Sequence, residues 1–232
     1  GTPEHTGTLG LVPTNFFNDE APTDFILVIV HHGLLSNLIV TCSVNFYLHS
    51  FAEKQRVALQ FAPQRMYKRI DVYSDSDHAG CLKTRKSTSG TVVMFGAHCA
   101  KASSGLQSTI SLSSGESEYY GIVRASAIGL SIQALMADWG YEVPLRVHTD
   151  SSAAKGTCSR RGLGKLRHVQ TRYLWVQERV ANQELEVAKV GTLVNPADMC
   201  TKALSAEHSA KFMKMSGHKY MDGRASSAKQ LV

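Results

Sequence analysis

The stretch whose reading decides the fold is Asp71-Val72-Tyr73-Ser74-Asp75-Ser76-Asp77. Its apolar and polar residues alternate, as a strand with one buried face requires, and it ends in two carboxylates. Three later segments each bring another acid in a distinctive setting. Glu118 lies in Ser113-Ser114-Gly115-Glu116-Ser117-Glu118-Tyr119-Tyr120, and Asp150 ends the strand-like Leu145-Arg146-Val147-His148-Thr149-Asp150. Asp198 sits in Asn195-Pro196-Ala197-Asp198-Met199-Cys200-Thr201-Lys202.

Outward from that stretch the signals are regular. A polar, basic turn at 83–90 leads to a second strand at 91–95, and 98–103 reads as a third, giving an antiparallel meander. Ser113 and Glu116 have capping-box spacing and open a long helix. Glu118, Ile122, Ala125, Gly129, Ile132 and Met136 fall on one face of it. An acid is therefore placed on the buried side, which is costly unless something cationic meets it. Gly140 stops the helix; 145–150 is a fourth strand, 151–158 a short helix, and 160–168 a basic, Gly-punctuated loop. A helix over 169–182 carries Tyr173, Val176 and Val180 on one stripe. A fifth strand spans 185–190, and Pro196 opens a last helix at its first position. The order predicts an α/β fold whose mixed sheet contains a right-handed crossover after the long helix.

A chain of 232 residues is one medium domain with additions or two small ones. The divisions expected are an unassigned segment over 1–68, a domain over 69–205, and a loosely packed helix with a flexible basic tail over 206–232. A net charge of +6 makes nucleic acid the first partner to consider. The five cysteines are odd in number and never spaced Cys-x-x-Cys. That pattern argues against a disulfide framework or structural zinc site and for a reducing, intracellular setting with the thiols as small buried hydrophobes. The chain starts without Met and without the regions of a signal peptide, so it reads as a non-secreted fragment of something longer. Apolar residues from 25 to 48 approach membrane-spanning length. His31, His32, Gly33 and Asn37 near the middle count against a span and favour buried structure or a drifted reading frame. Residues 51–68 read as a polar, basic connection.

From 72 to 204 the chain resembles the ribonuclease H domain of Ty1/copia-type retrotransposon polyproteins. The marks, in order, are Ser74-Asp75-Ser76-Asp77-His78-Ala79-Gly80, Arg85-Lys86-Ser87-Thr88-Ser89-Gly90 and Leu112-Ser113-Ser114-Gly115-Glu116-Ser117-Glu118-Tyr119. Thr149-Asp150-Ser151-Ser152-Ala153, Arg167-His168-Val169 and the segment from Asn195 to Lys202 complete them. The resemblance implies a ribonuclease H-like fold, a five-stranded mixed sheet flanked by helices. It places the family's four catalytic, metal-binding carboxylates on Asp75, Glu118, Asp150 and Asp198. Asp75 matches the acid after the strand's Ser, and Asp77, on the same side of an extended strand, could assist. Glu116 is explained as a helix cap. The chain departs from the family at His78, usually aromatic, and lacks a Trp near Lys101; the expected Gln is present at Gln107. The polymerase's paired-Asp motif is missing, so this fragment alone should not polymerise.

The chemistry makes sense of the acids. In-line hydrolysis of a phosphodiester needs an activated water and a stabilised leaving oxygen, and two Mg²⁺ ions roughly 3.5–4 Å apart provide both. Mg²⁺ (with Mn²⁺ as a substitute) prefers carboxylate oxygen to thiolate. Four acids converging without metal would repel, and one or more would take up protons. The implied substrate is an RNA–DNA hybrid, told apart by its minor groove and 2′-hydroxyls, and the implied partner is the reverse transcriptase domain of the same polyprotein. Because the centre is acidic, affinity must come from basic surface elsewhere. Arg85, Lys86, Ser151, Arg161, Lys165, Arg167 and His168 are the candidates, although His168 serves equally well as a packing or capping residue and the 160–167 loop as a solvated one. Two rival readings remain: a non-catalytic nucleic-acid-binding remnant, and another nuclease or integrase of the same fold.

Overall fold

The computed structural model describes residues 38–40, 56–61, 64, 67–162, 164 and 167–221. In chain order the elements are β1 (Leu38–Val40), β2 (Arg56–Phe61), β3 (Ile70–Ser76), β4 (Thr88–Phe95), β5 (His98–Leu106) and α1 (Ser114–Asp138). There follow β6 (Leu145–Thr149), α2 (Ser152–Cys158), α3 (Trp175–Ala181), β7 (Glu186–Lys189), α4 (Ala206–Met215) and β8 (His218–Met221). Five strands form one mixed sheet in the order β5-β4-β3-β6-β7. β3, β4 and β5 are antiparallel neighbours, while β6 and β7 run parallel to β3. This is the five-stranded mixed sheet flanked by helices that the resemblance implies.

The decisive stretch becomes the central strand, and its alternation has the expected cause. Ile70, Val72 and Ser74 are fully buried on the face that α1 covers. There they join Val93, Phe95, Leu145 and Val147, against Ile122, Ala125, Ile132 and Met136 of the helix. The helix lies close because two of its sheet-facing residues have no side chain. A Cβ on Gly129 would come within 2.7 Å of Leu145 Cδ1, and one on Gly121 within 3.0 Å of Ser74 Oγ. α1 is long and apolar enough to cross a membrane by length and composition, but its apolar face is covered by the sheet. Asp71, Tyr73 and Asp75 point to the opposite face, where Asp71 meets His148 and Tyr73 stacks on the same ring at 4.6 Å.

Several local expectations are corrected. The helix predicted over 169–182 is broken into a 3-10 turn, Thr171–Tyr173, and α3. The carbonyl of Tyr173 accepts a hydrogen bond from Tyr119 OH at 2.7 Å, a tertiary bond that competes with the helical ladder. Residues 51–68 contain β2, which pairs with β1 on one side and β8 on the other. The segment after 205 is not only a loose helix and tail. α4 buries Phe212 and Met213, and the chain continues into β8. Pro196 does open a helical segment at its first position, but a five-residue 3-10 turn, Pro196–Cys200, and not the last helix, since α4 follows separately behind its own cap, Ser205. Cys99 and Cys158 are buried and Cys81 and Cys200 half-buried, while Cys42 and most of the apolar 25–48 run lie outside the described residues.

Candidate active site

Adjacent parallel strands deliver the first two acids. Tyr73 of β3 pairs with His148 of β6, so Asp75 and Asp150, each two residues further on, emerge side by side on one face. The 3-10 turn 196–200 supplies the third. Asn195 anchors it: its Nδ2 donates to the Ser74 carbonyl at 3.0 Å, and its Oδ1 caps Ala197 N at 3.3 Å. Gly90, directly opposite Asp75 in the β3–β4 register, lets the turn settle onto the sheet. A Cβ there would come within 2.7 Å of both Ala197 O and Cys200 Cβ. One oxygen each of Asp75, Asp150 and Asp198 consequently lies within 4.8 Å of the others. Asp75 and Asp198 are 1% and 3% exposed.

Glu118 stands beside this trio rather than within it. It is 9% exposed on the second turn of α1. Burial, then the charges of Asp75 and Asp150, push its carboxyl up to about 8, against the pull of the Ser76 backbone N–H and Lys202. Burial and Asp75 likewise raise Asp198 to about 6, with Lys202 opposing. The Lys202 ammonium is 3.2 Å from Asp198 Oδ2 and 3.5 Å from Asp75 Oδ2. Thr201 Oγ1 donates to Asp75 Oδ2, and Thr192 Oγ1 to Asp150 Oδ2 at 2.8 Å. Among the described residues, two buried carboxylate oxygens, Glu118 Oε2 and Asp198 Oδ1, have no hydrogen-bond partner. Buried acceptors left without a donor are expensive, and a divalent cation is the partner that hard, crowded carboxylate oxygens suit. The residues present therefore fit such an ion. Burial, and then the charge of Asp75, push the neighbouring Cys200 thiol up to about 12.

Behind the acids Gln107 is fully engaged. Its Nε2 lies 2.9 Å from Ser76 Oγ, Ser89 Oγ and the Ser117 carbonyl, and its Oε1 accepts from Ser111 Oγ at 2.8 Å. One side chain thereby ties β3, β4 and the start of α1 together beside Glu118.

Among the described residues, the other sequence candidates are either engaged in contacts of their own or at least partly exposed. Asp77 Oδ1 accepts from Thr88 N at 2.5 Å, which keeps it on the β4 backbone and away from the trio. Ser151 caps α2 through Ala154 N at 3.2 Å. Arg85 is exposed in the turn after β3 with φ +57°, next to half-buried Lys86. Arg161 and Arg167 are exposed, and Lys165 lies outside the described residues. His168 Nε2 donates to Glu116 Oε2 at 2.8 Å. Lys202, Thr201, Thr192, Asn195 and Gly90 received no role from the sequence. Only Lys202 carried a usable signal, its i,i+4 spacing from Asp198; the others matter through contacts that no local pattern encodes.

No family model matches the chain. A 135-residue stretch is 30% identical to the retrovirus-related Pol polyprotein from transposon TNT 1-94 of Nicotiana tabacum, covering 57% of this chain and 10% of that protein. The Pol polyprotein from transposon RE2 of Arabidopsis thaliana is 30% identical over 139 residues, covering 59% of this chain and 10% of its own length. The chain thus spans about a tenth of the curated relatives it matches. Among solved structures, LC11-RNase H1, isolated from compost, superposes with a TM-score of 0.42 at 15% identity over 58% of this chain and 93% of that one. The same enzyme in complex with an RNA/DNA hybrid gives 0.38 at 16% identity, over 57% of this chain and 94% of that one. Over more than half its length, this chain is similar to a segment of the retrovirus-related Pol polyproteins of plant transposons.

Proposed function

We propose that this domain is a metal-dependent endonuclease that hydrolyses the RNA strand of RNA–DNA hybrids during reverse transcription of a retrotransposon. The observation that carries the reading is the convergence of Asp75, Asp150 and Asp198 within 4.8 Å, with buried oxygens of Asp198 and of nearby Glu118 lacking partners. Asp75, Asp150 and Asp198, with Glu118 at their side, would hold two Mg²⁺ ions, which Mn²⁺ could replace. Bound there, such ions supply an activated water and charge stabilisation for the leaving oxygen. The protein's own part is alignment. Thr201 and Thr192 orient the Asp75 and Asp150 carboxylates, and Asn195 fixes the turn bearing Asp198. Arg85, Lys86, Arg161, Lys165 and Arg167 offer cations to the phosphates, with Ser151 and His168 bordering them. The domain would work inside the cell as part of a Pol polyprotein, next to the reverse transcriptase.

The test is cleavage of a labelled hybrid in Mg²⁺ by this protein and by Asp150→Asn. Cutting by the first and not the second is expected. Equal cutting would end the catalytic assignment, and hybrid binding without any cutting would leave a nucleic-acid-binding remnant. In a substrate panel, preference for duplex DNA would point to a different nuclease or an integrase.

A further inference from the structure

Glu116, which the chemistry above does not use, is among the most deeply buried charged groups of the domain, at 1% exposure. It is also fully satisfied. Oε1 accepts from Tyr120 OH at 2.8 Å, and Oε2 accepts from Leu112 N at 3.0 Å and from His168 Nε2 at 2.8 Å. The first two donors belong to α1 and its approach. The third comes from a different part of the chain, the far foot of the basic loop that follows α2, and its side chain is 43% exposed. Ser113 already caps the helix through Glu116 N at 3.2 Å, so capping does not account for the carboxylate's reach to His168. The near foot is held in a similar way. The buried side chain of Gln177 donates to Gly162 O at 3.0 Å and Thr157 O at 2.9 Å, and accepts from Gly162 N at 2.9 Å. Exposed Arg161 and Arg167 stand next to these two anchored residues.

We infer that Glu116 is a positioning residue for substrate binding: through His168 it indexes the loop's cations to the helix end that carries Glu118. The inference rests on the hybrid-binding reading above. Its physical basis is that Glu116 and Glu118 share one helical turn, so His168, tied to the first, is held at a fixed offset from the second, and Arg167 beside it with it. Phosphate-binding cations gain from such pre-ordering because their side chains and backbone then lose less freedom on binding.

The experiment uses the full chain and three variants, Glu116→Gln, His168→Ala and the double change. His168→Ala leaves Glu116 its other two donors, so the fold is kept even if Glu116→Gln proves fragile. In the free protein, amide exchange over 160–168 should quicken in both single variants while that of the α1 core stays slow. In hybrid binding and cleavage over a salt series, each variant should raise KM by about fivefold to twentyfold, with the loss falling on KM rather than kcat. The slope of log affinity against log salt should flatten by about one. The double variant should be no worse than Glu116→Gln alone, since the contact that His168→Ala removes is already broken there. Unchanged exchange, an unchanged salt slope, or additive losses would each overturn the inference. If the parent protein fails to bind hybrid while exchange still quickens, the functional reading has failed and the structural tie between helix and loop stands.

Discussion

Glu116 and Glu118 stand two residues apart on α1, and both are buried, yet their surroundings are opposite. Glu116 has three donors on its two oxygens. Glu118 keeps Oε2 without any partner and faces the charges of Asp75 and Asp150, which with burial raise it to about 8. Residues two apart on a helix point to different sides, so one glutamate meets the loops and the other meets the sheet's carboxylates. A buried carboxylate with all its donors is part of the architecture. One that lacks them, beside three more acids, is left with an unmet cost of burial, and under the function proposed above a bound cation would meet it.

The largest expected effect falls on the acid side. Asp150→Asn and Asp75→Asn should each lower the hybrid-cleavage rate by about three orders of magnitude, while far-ultraviolet circular dichroism stays unchanged. If either variant cuts normally, the acids are not a reaction centre and the contrast with Glu116 loses its meaning. Next comes a difference in stability between the two glutamates. Glu116→Ala orphans Leu112 N and Tyr120 OH and should cost about 2–4 kcal/mol in urea unfolding. Glu118→Ala, measured in chelator at pH 8, should leave stability level or raise it, because it removes a buried, repelled charge. Equal losses would show that both are structural.

A third expectation concerns pH. Glu118 at about 8 and Asp198 at about 6 are raised above the ordinary carboxylate range. Their contribution is therefore fully present below pH 4 and is lost as pH climbs through 6 and then 8. In chelator the midpoint of thermal unfolding should fall by roughly 5 °C between pH 5 and pH 8.5 from this source. Mg²⁺ should offset most of the fall, and Glu118→Gln should flatten it; a fall that ignores both would place its cause elsewhere. The smallest effect is that of Lys202, which pulls the raised acids back down. Lys202→Gln should steepen the same pH dependence by about 1–2 °C, a change that differential scanning would resolve.

Much of this was legible in the residues. The alternation of 70–77 set the central strand, and the apolar face of α1 and the strand-like runs at 91–95 and 145–150 set its neighbours. Each of these is a one-period pattern answering to a single buried face. What local reading missed depended on distant partners: β2 needs β1 and β8 beside it, and the break before α3 needs Tyr119. The choice of acids came from ordered motifs rather than spacing, and those motifs could not tell that Glu118 would sit beside the trio.

By itself the sequence determined a mixed sheet with a long helix across it and four acids at the ends of its elements, because periodicity and capping act over a few residues. Tertiary structure alone decided which carboxylates touch, which keep an oxygen without a donor, and that Glu116 reaches 52 residues along the chain to His168. Such outcomes follow from strand register, from a turn seated over Gly90, and from burial, and these exist only once remote segments have packed.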